Sequence, residues 1–223
     1  MKPLSIYLAL IAAALLLAAC SGNVLRWTPD YHTVRSGETL YSIAHSYNLD
    51  HRQLAHWNHL GDGSVIRDGQ RLRLKPPAGS VSGSSTPNTS AKPQSQLAVP
   101  APTWRWPTAG RVYLHYGASQ KTESGIRIAG NNGQVITTAA AGEVVYAGNG
   151  LASYGNLLII KHNEGWLSAY GFNSVLLVWE GQKVGTGQSI ARMGQDLAGR
   201  AVLHFEIRRN GKPVDPVRYL PAH

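Results

Sequence analysis

The feature that most constrains this chain is a stretch that cannot fold. Residues 76–102 run from Pro76-Pro77-Ala78-Gly79 to Val99-Pro100-Ala101-Pro102, are rich in Pro and Ser, and carry one charge, Lys92. Such a composition has too little apolar surface to offset the entropy of ordering the chain. As a flexible coil it spans about 30 Å, and more where proline stiffens it. Folded structure must therefore lie to either side, in residues 31–75 and 103–223, each able to build a core of its own.

The first of these segments reads as a small α+β module in the order βααβ. Tyr31-His32-Thr33-Val34 alternates at strand period, Ser36-Gly37 makes a turn, and Thr39 can cap a helix through Leu40-Tyr41-Ser42-Ile43-Ala44. Asp50 and Gln53 have capping-box spacing, and Leu49 can staple against Leu54 across that cap. Arg71-Leu72-Arg73-Leu74-Lys75 alternates again and closes the module. Besides His32, four histidines fall here, His45, His51, His56 and His59. No carboxylate or cysteine completes a metal face with them, so they are expected on the surface. The second segment reads as all-β and antiparallel. Its strand candidates are Glu143–Ala147, Asn156–His162, Trp166–Tyr170 and Leu203–Arg208, with Asn210-Gly211 as a hairpin turn. His115 and His162 fall on ordinary strands of this pattern.

The chain of 223 residues carries 21 Lys and Arg against 12 Asp and Glu. A basic surface suits a polyanion, but the positive residues are scattered and no nucleic-acid-binding signature appears, which argues against a nucleic-acid partner. The single cysteine, Cys20, excludes an internal disulfide and a cysteine-based zinc site. Met1-Lys2-Pro3 is a short positive start, and Leu4 to Ala19 is an apolar run too short for an ordinary membrane span. Leu17-Ala18-Ala19-Cys20 resembles a bacterial lipobox. That resemblance implies a signal peptide over residues 1–19, lipid on Cys20 and a tether over residues 20–30; the alternative is an ordinary signal peptide or short anchor. Ser21 stands where an inner-membrane retention signal would place Asp, so the implied location is the outer membrane of a Gram-negative bacterium, facing the periplasm.

Residues 31–75 resemble a LysM domain. The resemblance is carried by Tyr31-His32-Thr33-Val34-Arg35-Ser36-Gly37-Glu38-Thr39-Leu40, Ile43-Ala44, Leu54-Ala55, Trp57-Asn58 and Gly69-Gln70-Arg71-Leu72. It implies binding to the N-acetylglucosamine-containing glycan of peptidoglycan through two loops. Here those loops hold Ser36, Gly37, Glu38 and Thr39, and Gly61, Asp62 and Gly63.

Residues 103–223 resemble the LytM/lysostaphin zinc peptidases. Gly125-Ile126-Arg127-Ile128-Ala129, Gly142 to Gly148, Tyr154 to His162, Gly181-Gln182-Lys183-Val184, Gly187-Gln188 and Leu203-His204-Phe205-Glu206 carry the likeness. Active members hold zinc with a His, an Asp four residues on and the second His of a His-x-His pair, while two further histidines serve the chemistry. Carried over, these positions are Glu123, Arg127 and His204 for the metal, and Phe172 and Val202 for the other two. A guanidinium has no lone pair to donate. About 4 Å from a zinc ion it meets repulsion of about 8 kcal/mol at an effective dielectric of 20. Neither Phe172 nor Val202 can exchange a proton. The expectation is a peptidase scaffold with no metal, no cofactor and no catalytic residue.

Lipobox, LysM module, Pro/Ser linker and degenerate LytM domain follow the order of the NlpD-like lipoproteins. That resemblance implies an activator of N-acetylmuramoyl-L-alanine amidases, acting in cell-wall hydrolysis and daughter-cell separation. The former active-site groove would hold a segment of the amidase against Glu123, Arg127, Tyr154, Tyr170, Phe172, His204 and Arg208. The alternatives are a structural wall-binding lipoprotein, or a weak zinc endopeptidase with a rebuilt site.

Overall fold

The computed structural model describes residues 29–61, 65–77, 99–118 and 124–222. The expectations placed on Cys20, on Asp62 and Gly63, on Glu123, and on most of the linker lie outside the described residues.

The first module pairs strand β1 (Tyr31–Thr33) antiparallel with β2 (Arg71–Arg73), and between them run helices α1 (Leu40–Ser46) and α2 (His51–Trp57). Each helix starts where a side chain satisfies free N–H groups. Thr39 and Ser42 form a reciprocal capping box on α1, and the Asp50 carboxylate accepts from the backbone N–H of Arg52 and Gln53 at the start of α2. Val34, Leu40, Ile43, Ala44, Leu54, Leu72 and Leu74 close a core, with Leu49 packed against it.

The second module is one antiparallel sheet of ten strands. Its strands are β3 (Val112–Leu114), β4 (Ile126–Ala129), β5 (Val135–Thr137), β6 (Gly142–Gly148), β7 (Asn156–Asn163), β8 (Trp166–Leu176), β9 (Lys183–Val184), β10 (Ser189–Gln195), β11 (Ala201–Arg209) and β12 (Lys212–Val214). The main path runs β3-β4-β11-β10-β8-β7-β6-β9, and β11 also pairs with β8. Asn210 and Gly211, with φ of 49° and 74°, make the turn between β11 and β12. One face of the sheet buries Leu158, Ile160, Tyr170, Leu203, Phe205 and Ile207 with Trp104 and Trp166.

The other face of β6, β7 and β8 is apolar as well. Tyr146, Leu157, Ile159, Leu167 and Ala169 form a separate cluster there, and Tyr41 of α1 packs against it. The uninterrupted run Leu157-Leu158-Ile159-Ile160 thus reads as a strand covered on both faces, with the first module as the second cover. Around this contact, the Thr39 hydroxyl donates to the Val145 carbonyl (3.2 Å) and Arg52 Nη2 donates to Asn210 Oδ1 (3.0 Å). The surface expected for the four histidines holds for His56 and His59, which are exposed. It fails for His45 and His51, only 3% and 6% exposed, because the helices that carry them face the second module.

Candidate functional site

Strand β11 alternates strictly. Leu203, Phe205 and Ile207 enter the core, while Val202, His204, Glu206 and Arg208 point to the face that meets the first module. On that face Glu206 is wholly buried and accepts from three sides: His204 Nε2 (2.8 Å), His45 Nε2 of α1 (3.1 Å) and Arg208 Nε (2.7 Å). Arg208 goes on to donate to the carbonyls of His45 (3.3 Å) and Gly211 (3.1 Å) and to Asn48 Oδ1 (3.0 Å). Burial alone would raise the Glu206 carboxyl, but Arg208, His45 and His204 together hold it well below the usual carboxylate range. Burial and then Arg208 push His45 below the ordinary imidazole value, against the pull of Glu206. An ionised Glu206 only accepts, so both imidazoles present Nε2–H to it.

Beside this ladder lies a cavity of about 720 Å³. Its lining includes Arg127, Phe172, His204, Tyr154, Asp196 and Arg200 from the second module. Arg127 on β4 sits opposite His204 in register. Its Nη1 donates to Asp196 Oδ2 (3.1 Å), and its guanidinium stacks on the Phe172 ring at 4.7 Å. Asp196 is shared, since Arg200 Nη2 also donates to Oδ2 at 2.7 Å. Phe172 reaches the cavity because its φ is +62°, beside the irregularity in the β7–β8 register. A bulky residue in that conformation costs about 1–3 kcal/mol, a strain that the stacking offsets in part. Tyr154 stands between the modules, its ring 5.0 Å from His45 and 5.3 Å from His204.

The groove residues expected from the sequence thus divide. Arg127, Tyr154, Phe172 and His204 converge on the cavity. Tyr170 does not: its ring is fully buried in the main core and its hydroxyl accepts from the Ala139 N–H (2.9 Å) and meets Ser168, because it leaves β8 before the irregularity that reverses Phe172. Arg208 is 1% exposed and committed to the contact between modules rather than to the cavity. Glu206 and Asp196 were missed. A buried guanidinium needs a counterion, so Arg127 and Arg208 in the sequence each called for an acid nearby, and these are the two. Of the glycan-loop residues, Ser36, Gly37 and Gly61 are exposed. Glu38 accepts from His32 Nε2 (2.7 Å) and the Arg35 N–H (2.8 Å), and Thr39 is engaged as cap and contact.

Zinc, which active members of the resembling peptidases hold, does not fit this set of residues. The guanidinium of Arg127, the residue that the resemblance sets at the carboxylate's position, has no lone pair to give and is already paired with Asp196, and His204 Nε2 is turned to Glu206. Among the described residues no group of three or more His, Cys, Asp or Glu could hold a metal ion.

The chain matches the family model of the LysM domain over residues 32–75 and that of peptidase family M23 over residues 121–216. The "Uncharacterized lipoprotein YgeR" of Escherichia coli is 38% identical over 95% of this chain and 91% of its own length. The "Lipoprotein NlpD/LppB homolog" of Pseudomonas aeruginosa is 41% identical over 87% of this chain and 78% of that one. The "Murein hydrolase activator NlpD" of Escherichia coli is 55% identical over 55% of this chain, which spans 32% of that protein. The chain belongs to the family of NlpD/LppB-type lipoproteins, in which a LysM domain is joined to a domain of the M23 peptidase fold.

Proposed function

We propose that this protein is a non-catalytic periplasmic activator of N-acetylmuramoyl-L-alanine amidases. Lipid on Cys20 holds it at the outer membrane and the LysM module holds it on peptidoglycan glycan, so that the amidase is switched on where wall is cut during daughter-cell separation. The observation that carries this reading is Arg127. A cation stacked on Phe172 and paired with Asp196 fills the place where hydrolysis needs a metal ligand, yet a roomy cavity stays open in front of it. A roomy groove lined by an already paired cation and an aromatic ring is suited to holding a protein segment. The relatives named as murein hydrolase activators support the same function, and those named as lipoproteins support the anchor.

The test mixes the purified full chain with an amidase from the same envelope and follows dye release from labelled wall. The amidase alone is expected to be slow, the chain alone inactive even with added zinc, and the mixture several-fold faster. Muropeptides released by the chain and zinc without amidase would show a working endopeptidase instead. Wall binding with no effect on any amidase would leave a structural lipoprotein.

A further inference from the structure

The cavity that contains Arg127, Phe172 and His204 is not built by the second module alone. His45, Ser46 and Asn48, from α1 and the turn after it, form part of its lining. Three observations make that wall a fixed part of the groove. Tyr41 of α1 covers the second apolar face of β7 and β8, where Leu157, Ile159 and Ala169 are fully buried. His45 and Asn48 are tied to the buried Glu206–Arg208 pair. And Gly211 approaches so closely that a Cβ there would collide with the Leu49 carbonyl oxygen. Ser46 and Asn48 nevertheless remain exposed. Among the described residues the Ser46 hydroxyl bonds within its own helix, to the Ser42 carbonyl at 2.9 Å, which leaves its outer side open to a ligand.

We propose that α1 of the LysM module is one wall of the partner-docking groove, so that Ser46 and Asn48 contact the amidase together with Phe172 and Arg200. This rests on the activator reading above and adds to it: recognition belongs to the two modules jointly, and the M23-type domain alone presents an incomplete surface. The chemistry of the lining selects the occupant. Phe172 and Leu151 supply apolar surface, and Leu197, 93% exposed, adds more to the same lining. Two guanidiniums, Arg127 and Arg200, share one carboxylate, Asp196, so among the described residues the lining holds one positive charge in excess. The complementary occupant is a segment of the amidase that presents an apolar side chain beside a carboxylate.

The experiment uses the full chain and its Ser46→Trp, Lys183→Ala and Leu197→Asp variants. It measures the concentration giving half-maximal amidase stimulation, with pelleting on purified wall to report the glycan-binding module. Ser46→Trp fills the cavity from the LysM side and is expected to raise that concentration by at least about tenfold, as blocking a central contact does. Leu197→Asp is expected to raise it as well, whereas Lys183→Ala, at an exposed position outside the lining, stays within about twofold, the range of a surface change. Wall pelleting stays unchanged in all three. Ser46→Trp acting like the wild type would overturn the composite groove, and Leu197→Asp acting like the wild type would overturn the assigned occupant. A wild-type chain that stimulates no amidase is a different result: the activator reading itself fails, and this proposal with it.

Discussion

Glu206 and Arg127 set the character of the site at the scale of single residues. Each belongs to a buried ion pair, and such pairs hold a structure mainly by what happens when one member is removed. Glu206→Gln leaves Arg208 without its anion beneath α1 and removes an acceptor from His45 and His204. It is expected to lower stability by about 3–5 kcal/mol, read as a shift of the urea midpoint. A loss below about 1 kcal/mol would mean that the three partners find equal substitutes, contrary to the geometry. Arg127, Tyr154, Phe172 and His204 could be picked out from the sequence through the resemblance to the zinc peptidases, and the structure brings these four to one cavity. Glu206 was not legible, since an acid at alternating spacing on a strand reads as a solvated face. Only the packing of α1 against β11 turns it inward.

Helix α1 and the β11–β12 hairpin govern how the two modules meet. Asn210-Gly211 announced its turn in the sequence, and the turn forms there. Its tertiary duty was hidden. Gly211 has φ of +74°, and a Cβ would meet the Leu49 carbonyl oxygen and the Asp50 backbone. Gly211→Ala is therefore expected to cost about 1–3 kcal/mol, from the left-handed backbone and from the displaced junction between α1 and α2 together. Thermal melting checks this, and an unchanged midpoint would mean that the junction yields freely. The run Leu157–Ile160 was a clearer signal: four apolar residues in succession on a strand demand cover on both faces. Naming the segment as a strand leaves that demand unused, and nothing in the run itself says that the LysM helices meet it. Their own pattern was consumed by the small core of Leu40, Ile43 and Leu54.

At the scale of the molecule, burial of imidazoles makes the joint between modules sensitive to acid. Burial holds His51 down to about 4, with Asp50 and Glu164 raising it against Lys161 and Arg52, and its ring packs 4.3 Å from that of Tyr41. His45 is lowered too, facing Arg208, Glu206 and His204. A separated or unfolded chain binds protons at these groups near 6.5, above the docked form, so the stability they permit is complete above about pH 6.5 and falls as the pH drops toward 4. For His51 alone the loss is about 2 kcal/mol at pH 5. Urea titrations at pH 7.5 and 5 are expected to show it, and His51→Gln to reduce the difference; equal midpoints for the wild type at both pH values would contradict the burial. Whether Arg127 marks a binding groove decides what the whole molecule does. The most direct measurement is amidase stimulation as a function of concentration for the full chain and its Arg127→Glu variant, with wall pelleting in parallel. The expected result is a half-maximal concentration raised at least about tenfold with pelleting unchanged; superimposable stimulation curves would contradict it.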